Sequence, residues 1–432
     1  MRILIITDEV WNDKRYSNNV LTNWFKGFPA EFANIYLASG IPDNPCCKRY
    51  FQITDTMMLK SIFTGEAAGR GTIVEDSEWN SPEEDLLFYD KWRPFATEAL
   101  RFMRDLLWQH GRFNREKIME FIREFQPDII FCPRMASRKM LRFERLLKEW
   151  TQLPMVAFTG DDEYTLSQIR ISPIYWLRRA KLRKEFRNAV GLYQKYYTLS
   201  MRQTVLYRKR FHLDTDVLLK CADPEENLPE KEFHIPIRMI YAGRLYCNRW
   251  QTLVKIKKAL EEINRDSMKM ILEIYTRDKV TAKRRKALED GVNSFVKPPV
   301  DANQLKDIYR QGEIALFVES FDLKNKLLTK FSFSTKIIDC LASSCAVVAV
   351  CPRMHPGYAY LKERDAAICI TNPGRIHPVL KKLAGDNDII RRYQRKAGKC
   401  VHSYHRRSVV QAKLYRDFMR IIRENAEKLP IL

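Results

Sequence analysis

Short apolar runs alternate along this chain with longer stretches of helical period, the pattern of an α/β protein with parallel sheets. In the first half the apolar runs at 3–7, 35–38, 128–132, 155–159 and 192–199 predict strands, and the spacing predicts helices over 95–110, 115–125 and 141–150. The stretch ADPEENLPEKEFHIP at 222–236 is rich in Pro and Glu and has no period, so it reads as a linker. The alternation then restarts. Strands are expected at 238–241, 269–275, 294–297, 314–318, 346–350 and 367–370. Helices are expected at 252–264, 281–290, 302–311, 335–343 and 376–385, with one long amphipathic helix over 408–428. No internal repeat of solenoid period interrupts the two series. The expected skeleton is thus a domain over 1–221, a linker over 222–236, a second α/β domain over 237–405 and a terminal helical segment over 406–432.

Composition narrows the partners. The formal net charge of +22, from 75 basic and 53 acidic residues, favours an anionic partner: nucleic acid, an anionic membrane surface or a phosphate-bearing substrate. A plain solvated basic surface is the alternative. The ten cysteines include no C-x-x-C pair and several lie in apolar runs, which argues against a zinc site and a disulfide framework. The start, MRILIITDEVW, reads as a first strand rather than a signal peptide. No run approaches the length of a membrane span. The expectation is a reduced, cytoplasmic chain without metal.

The stretch FVESFDLKNKLLTKFSFSTKIIDCLASSCAVVAV, residues 317 to 350, carries the candidate chemistry. Ser334 precedes a helical pattern and is the expected N-cap, with Thr335 and Lys336 in the first turn. Such a helix start suits a phosphate, and Lys336 adds a formal charge. Asp339 lies on the same face as Thr335, roughly 6 Å further along, about the separation of a diphosphate from its ribose. An ordinary capped helix with a solvent-facing Asp is the alternative. Upstream, IYAGRL at 240–245 is a strand running into a Gly turn with Arg244, and YCNRW supplies Arg249. Two arginines there can clamp a diphosphate.

With those residues in view, the C-terminal half resembles the donor-binding domain of GT-B glycosyltransferases, particularly the bacterial family 4-like (group 1) branch that builds surface polysaccharides. YAGRL, FVESFD and FSFSTKIIDCLASSCAVVAV resemble its successive donor-site blocks. The resemblance implies a GT-B architecture: two Rossmann-like domains facing a central cleft, with a C-terminal helix crossing back. It implies that Arg244 and Arg249 hold the diphosphate, that Ser334, Thr335 and Lys336 cradle the distal phosphate, and that Asp339 holds the ribose. Phe295 and Val296 would meet the base, and Glu319 would lie beside the transferred sugar. No cofactor is implied beyond a nucleotide-diphosphate sugar, UDP or GDP, as donor substrate. The family's usual pair of glutamates eight residues apart is absent, since Phe331 stands eight before Asp339. Ser344 and Ala346 stand where glycine and proline are usual, and Arg249 roughly where lysine is more common.

By the same resemblance the N-terminal half carries the acceptor, a glycan or lipid-linked glycan. The loop after the first strand would approach the donor phosphates and the acceptor, with Asp8 and Asn19 as polar groups there; an ordinary βα loop is the alternative. Asp161 or Asp162 in Gly160-Asp161-Asp162-Glu163 is the acid–base candidate. For the latter pair the alternative is an N-cap with first-turn acids of a following helix. No histidine accompanies them. From Arg170 to Asn188 the segment RISPIYWLRRAKLRKEFRN is basic and amphipathic. It suits an anionic membrane surface, or a helix covering its own domain with long cationic stems. The predicted activity is metal-independent hexosyl transfer to a lipid-linked acceptor in bacterial polysaccharide synthesis, in the cytoplasm or peripheral at the inner membrane face. A basic nucleic-acid-binding protein, a nucleotide-sugar 2-epimerase and a catalytically idle scaffold remain alternatives. No RNP pattern, zinc finger or helix-turn-helix supports the first, so no nucleic acid is expected.

Overall fold

The computed structural model describes residues 1–14, 20–73, 97–134, 137–223 and 232–428. Its contacts divide the chain into two units: Met1–Leu218 with Gln411–Leu432, and Leu219–Val410.

The first unit holds strands β1 (Arg2–Thr7), β2 (Glu31–Tyr36), β3 (Arg49–Gln52), β4 (Arg70–Ile73), β5 (Ile129–Arg134), β6 (Met155–Thr159), β7 (Lys195–Thr198) and β8 (Thr215–Val217). They form one sheet in the order β4-β3-β2-β1-β5-β6-β7-β8. Every pairing is parallel except that of β3 with β4. Parallel strands carry helices on both faces, so β1 and β6 read as unbroken apolar runs, with Ile3 to Ile6 and Met155 to Ala157 fully enclosed. The core beside them includes Trp108, Phe143, Phe186 and Tyr207. The helix Arg407–Ala426 returns the chain to this unit. Leu414, Phe418 and Ile421 recur along one side of it and are buried, Phe418 meeting Phe131 at 5.7 Å between rings. Gln411 donates to the carbonyl of Trp24 at 2.7 Å and Lys413 to that of Val217 at 2.7 Å.

The second unit holds β9 (Ile237–Ala242), β10 (Met270–Tyr275), β11 (Ser294–Lys297), β12 (Ile314–Val318), β13 (Ala346–Val350) and β14 (Ile368–Ile370). All pairings are parallel, in the order β11-β10-β9-β12-β13-β14. The chain steps outward from β9 to β11, then crosses back to β12 on the other side of β9. That reversal is a topological switch point, and in open α/β sheets ligands sit outside the carboxyl ends of the strands there.

Several elements differ from expectation. β3, β4 and β8 are not evident from apolar pattern, nor is the helix Asn387–Tyr404. The helix expected over 335–343 is shorter, Lys336–Leu341, and Ser334 is not its cap. Thr335 takes that place with helical backbone angles and no side-chain cap. The carbonyls of Ser334 and Thr335 instead accept from the N–H groups of Ile337 and Ile338, both at 3.1 Å. This tightened first turn uses main-chain donors that a free helix start would offer. Ser344, standing where glycine is usual, has a φ of +60°, the left-handed conformation that glycine adopts without strain.

Candidate functional site

The carboxyl ends of β9 and β12 bring four of the expected residues or their neighbours together. β9 ends in Ala242 and passes to Gly243, whose N–H donates to the Tyr275 carbonyl at 2.9 Å. A Cβ on Gly243 would stand 2.0 Å from Nζ of Lys336, so a larger residue there would displace the end of that side chain from its present place. The Lys336 ammonium is buried there without a hydrogen-bond partner, 5.7 Å from the centre of the Tyr241 ring. Burial first, and the nearby Arg249 second, lower its pKa to about 8 against the opposing pull of Glu319.

Glu319 follows β12 and is 2% exposed. Both its oxygens accept from Arg249, Oε2 from Nε at 3.0 Å and Oε1 from Nη2 at 2.7 Å. Burial opposes the charge of Arg249, yet Glu319 overcomes it and raises the pKa above the ordinary arginine value. The Arg249 guanidinium lies 4.6 Å from the Tyr246 ring centre. Thr252 fixes the turn by donating to the Glu319 carbonyl at 2.9 Å. In this arrangement Glu319 is the counter-charge that orients Arg249.

Arg244 is largely exposed and reaches Asp278 at 3.2 Å, while Asp278 also accepts from the Leu245 N–H at 2.6 Å. Asp339 pairs with Lys220 at 2.6 Å. Ser334 and Thr335 lie half-buried ahead of Lys336. Phe295 and Val296 stand apart from these residues in the sheet order, on edge strand β11. Val296 packs into the core, and Glu289 and Arg285 occupy its N–H and carbonyl at 3.1 and 3.4 Å. Phe295 is half-buried, with Lys297 Nζ 5.0 Å from its ring centre.

A histidine that sequence reasoning passed over stands at this edge. His355 is 2% exposed, its Nε2 lying 3.9 Å from Glu319 and its Nδ1 accepting from the Gly357 N–H at 3.0 Å. Burial lowers its pKa, with Glu319 opposing and Arg249 adding, so it is held neutral. Its signal was His-Pro at the start of a helix, five residues after the apolar run that ends at Val350.

In the first unit, Asp161 and Asp162 follow β6 and have different surroundings. No helix begins at them; the next is Pro173–Ala189, with Ser172 as its cap. Asp162 closes a loop turn instead, accepting from the N–H groups of Tyr164 and Thr165 at 3.1 and 2.8 Å and pairing with Arg179 at 3.3 Å. Glu163 is buried and accepts from the Tyr196 hydroxyl at 2.8 Å. Asp161 has an open edge, and among the described residues its carboxyl has no side-chain or main-chain donor. Partial enclosure by the surrounding chain, then the charges of Glu163 and Asp162, raises its pKa. Asp8 forms an ion pair with Lys139, a lysine buried after β5. Asn19 lies outside the described residues, as do residues 224–231 of the expected linker.

No protein-family model and no curated protein matches this sequence. Solved structures do match along nearly the whole chain. Sucrose-phosphate synthase from Thermosynechococcus elongatus is 11% identical, with a TM-score of 0.60 over 98% of this chain and 100% of that one. A trehalose-6-phosphate structure from E. coli, bound with UDP-2-fluoro glucose, is 11% identical, with a TM-score of 0.58 over 97% of this chain and 99% of that one. An α,α-trehalose 6-phosphate synthase from Burkholderia multivorans is 10% identical, with a TM-score of 0.58 over 98% of each chain. At such identities the likeness is one of fold: two parallel-sheet domains and a C-terminal helix, the GT-B architecture of these structures.

Proposed function

We propose that this chain moves a hexose-type sugar from a nucleoside diphosphate donor, UDP or GDP, to a glycan acceptor. The observation that carries the reading is the Lys336 ammonium, enclosed at the switch point over a glycine that leaves it room and given no partner. A buried cation with no hydrogen-bond partner, whose neighbouring carboxylate Glu319 is already held by Arg249, is unfavourable, and a phosphate beside it supplies the missing partner. Arg249 adds a second cation, held in place by Glu319. Asp339 is the acceptor for ribose hydroxyls once Lys220 gives way. The E. coli structure of the same fold, bound with UDP-2-fluoro glucose, supports a uridine diphosphate donor. As the glycosidic bond to the donor breaks, the departing diphosphate gains charge, and Lys336, Arg249 and Arg244 stabilise it. Those cations supply the neutralisation that a divalent metal provides elsewhere. Ser334 and Thr335 add hydroxyl donors, and Phe295 offers a ring to the base.

On the acceptor side, Asp161 is the general base: it is unpaired, its pKa is raised, and it stands at the carboxyl end of a central strand. Asp162 holds the loop. The finer reading is transfer to a lipid-linked glycan in bacterial surface polysaccharide synthesis, at the cytoplasmic face of the inner membrane. The basic segment from Arg170 to Asn188 supports it. Among the described residues no helix is long and apolar enough to cross a membrane.

A thermal-shift titration with UDP, GDP, CMP and ADP tests the donor site. One nucleotide at a hundredfold excess over its Kd should raise the midpoint by about 3 °C or more. Lys336→Ala and Asp339→Ala should abolish the rise; no rise with any nucleotide in the unaltered protein would refute the reading. Asp161→Asn should leave the nucleotide shift in place and slow sugar transfer about a hundred- to ten-thousandfold. Unchanged transfer in that variant removes Asp161 from the reaction.

A further inference from the structure

The outer surface of three neighbouring helices in the first unit is apolar where a water-facing layer is ordinarily polar. The helix Asp55–Phe63 exposes Leu59, Ile62 and Phe63, one face by their spacing, with Phe63 79% exposed. The helix Glu98–His110 packs beside it and exposes Met103 and Leu106. The helix Pro173–Ala189 packs beside that one and exposes Ile174 and Leu177. The loop before it adds Leu166, Ile169 and Ile171, the last 97% exposed. Scattered exposed apolar residues are ordinary; a concentration on adjoining elements marks an interaction surface.

The charge on the same helices has one sign left over. Asp55 is held by Arg104 at 2.9 Å, Glu98 and Asp105 by Arg178 at 2.8 and 2.9 Å, and Glu185 by Arg138 at 2.5 Å. These pairs neutralise the helices' carboxylates and tie the first helix to the second and the second to the third. Lys60, Arg170, Lys184 and Arg187 stay exposed. Along the third helix Ile174, Leu177, Lys181 and Lys184 share one face, apolar at its start and cationic further on. Half-buried Lys181 also caps the Phe102 ring at 4.8 Å.

We infer that this three-helix face docks on an anionic lipid bilayer, its apolar side chains entering the headgroup boundary and its lysines and arginines meeting lipid phosphates. A lipid surface satisfies both halves of the pattern at once, whereas a neutral protein surface answers only the apolar half. The face extends beyond the basic segment alone. It deepens the lipid-linked acceptor reading and rests on it only for its purpose, since the surface chemistry stands without the donor site.

The test is co-sedimentation of the full chain with vesicles of phosphatidylcholine alone and of phosphatidylcholine mixed with phosphatidylglycerol. Binding should require phosphatidylglycerol and weaken with salt. Ile171→Asp and Phe63→Asp should each lower the partition coefficient about tenfold, by loss of one buried apolar side chain. Lys184→Glu should lower it about fivefold or more. All three positions are exposed, so the variants should keep the nucleotide-induced thermal shift, and that shift reports separately on the donor reading. Protein left in the supernatant with both vesicle types, or binding indifferent to Ile171→Asp, overturns the inference. So does a dimer that Ile171→Asp converts to monomer, because a second copy would then cover the face.

Discussion

Replacing Lys336 with methionine should make the protein more stable at neutral pH while abolishing nucleotide binding. The ammonium is enclosed without a partner, and its pKa falls from 10.5 to about 8, chiefly through burial. A lysine whose folded pKa lies below its unfolded one opposes folding while it is charged. Below about pH 8 both states hold the proton and the cost is fully present, about 3 kcal/mol for a shift of that size. Between about pH 8 and 10.5 the folded chain releases the proton and the unfolded chain keeps it, so the cost shrinks, and above 10.5 it is gone. Methionine fills a similar volume without charge. Denaturant midpoints for both proteins at neutral pH and near pH 10 should therefore converge as pH rises, the variant leading at neutral pH. Nucleotide binding changes the same balance in the unaltered protein. A bound phosphate favours charged Lys336, so affinity should hold below about pH 8 and then fall about tenfold per pH unit until the complex itself titrates. A variant that is less stable at neutral pH, or that still binds nucleotide, would show that Lys336 is satisfied within the protein and waits for no anion.

Such a residue is visible in sequence only as a lysine at the start of a helical pattern. Its setting is not, because Gly243 and Lys336 meet through the sheet. The same limit applies to the pairs around it. Arg249 and Glu319 are 70 positions apart, Lys220 and Asp339 are 119 apart, and spacing reports only on neighbours within a helix or strand. The sequence therefore led to Arg249 as an expected diphosphate contact and to Glu319 as a neighbour of the transferred sugar, but showed neither that Arg249 is buried nor that Glu319 is its counter-charge. The strands follow a similar division. β12 and β13 are buried along their whole length and read as unbroken apolar runs. β3, β4 and β8 lie at or near the sheet edges; RYFQ, RGTI and TDV are strands because a neighbour supplies hydrogen bonds, not because of their own pattern. The helix Asn387–Tyr404 hid for another reason. Its buried side includes the small residues Ala397 and Cys400, and Gly398 interrupts it, so the apolar stripe is faint although the helix is long. The two-unit α/β fold was readable because parallel sheets impose a strong pattern on their central strands.

The pair of Arg249 and Glu319 should show the largest single effect on stability. Glu319→Ala leaves a guanidinium that is 6% exposed with no counter-charge, which should cost the second unit about 3–5 kcal/mol. The double variant Arg249→Met with Glu319→Leu should recover most of that loss, because two apolar side chains can fill the space without a stranded charge. Recovery should not extend to the ligand: every variant lacking Arg249 should bind the nucleotide at least about tenfold more weakly, the scale of one lost charge-assisted phosphate contact. Equilibrium denaturation and nucleotide titration on the two single variants and the double variant separate these effects. The same series decides what Glu319 does. If it serves by orienting Arg249, then Glu319→Gln, which retains one acceptor oxygen, should lose stability and nucleotide affinity together and to a lesser degree than Glu319→Ala. If it acts on the transferred sugar, Glu319→Gln should keep both and lose turnover. The bidentate contact at 2.7 and 3.0 Å occupies both carboxylate oxygens and favours the first outcome. Sugar transfer should then fall in proportion to the loss of bound donor, and saturating donor should restore much of it.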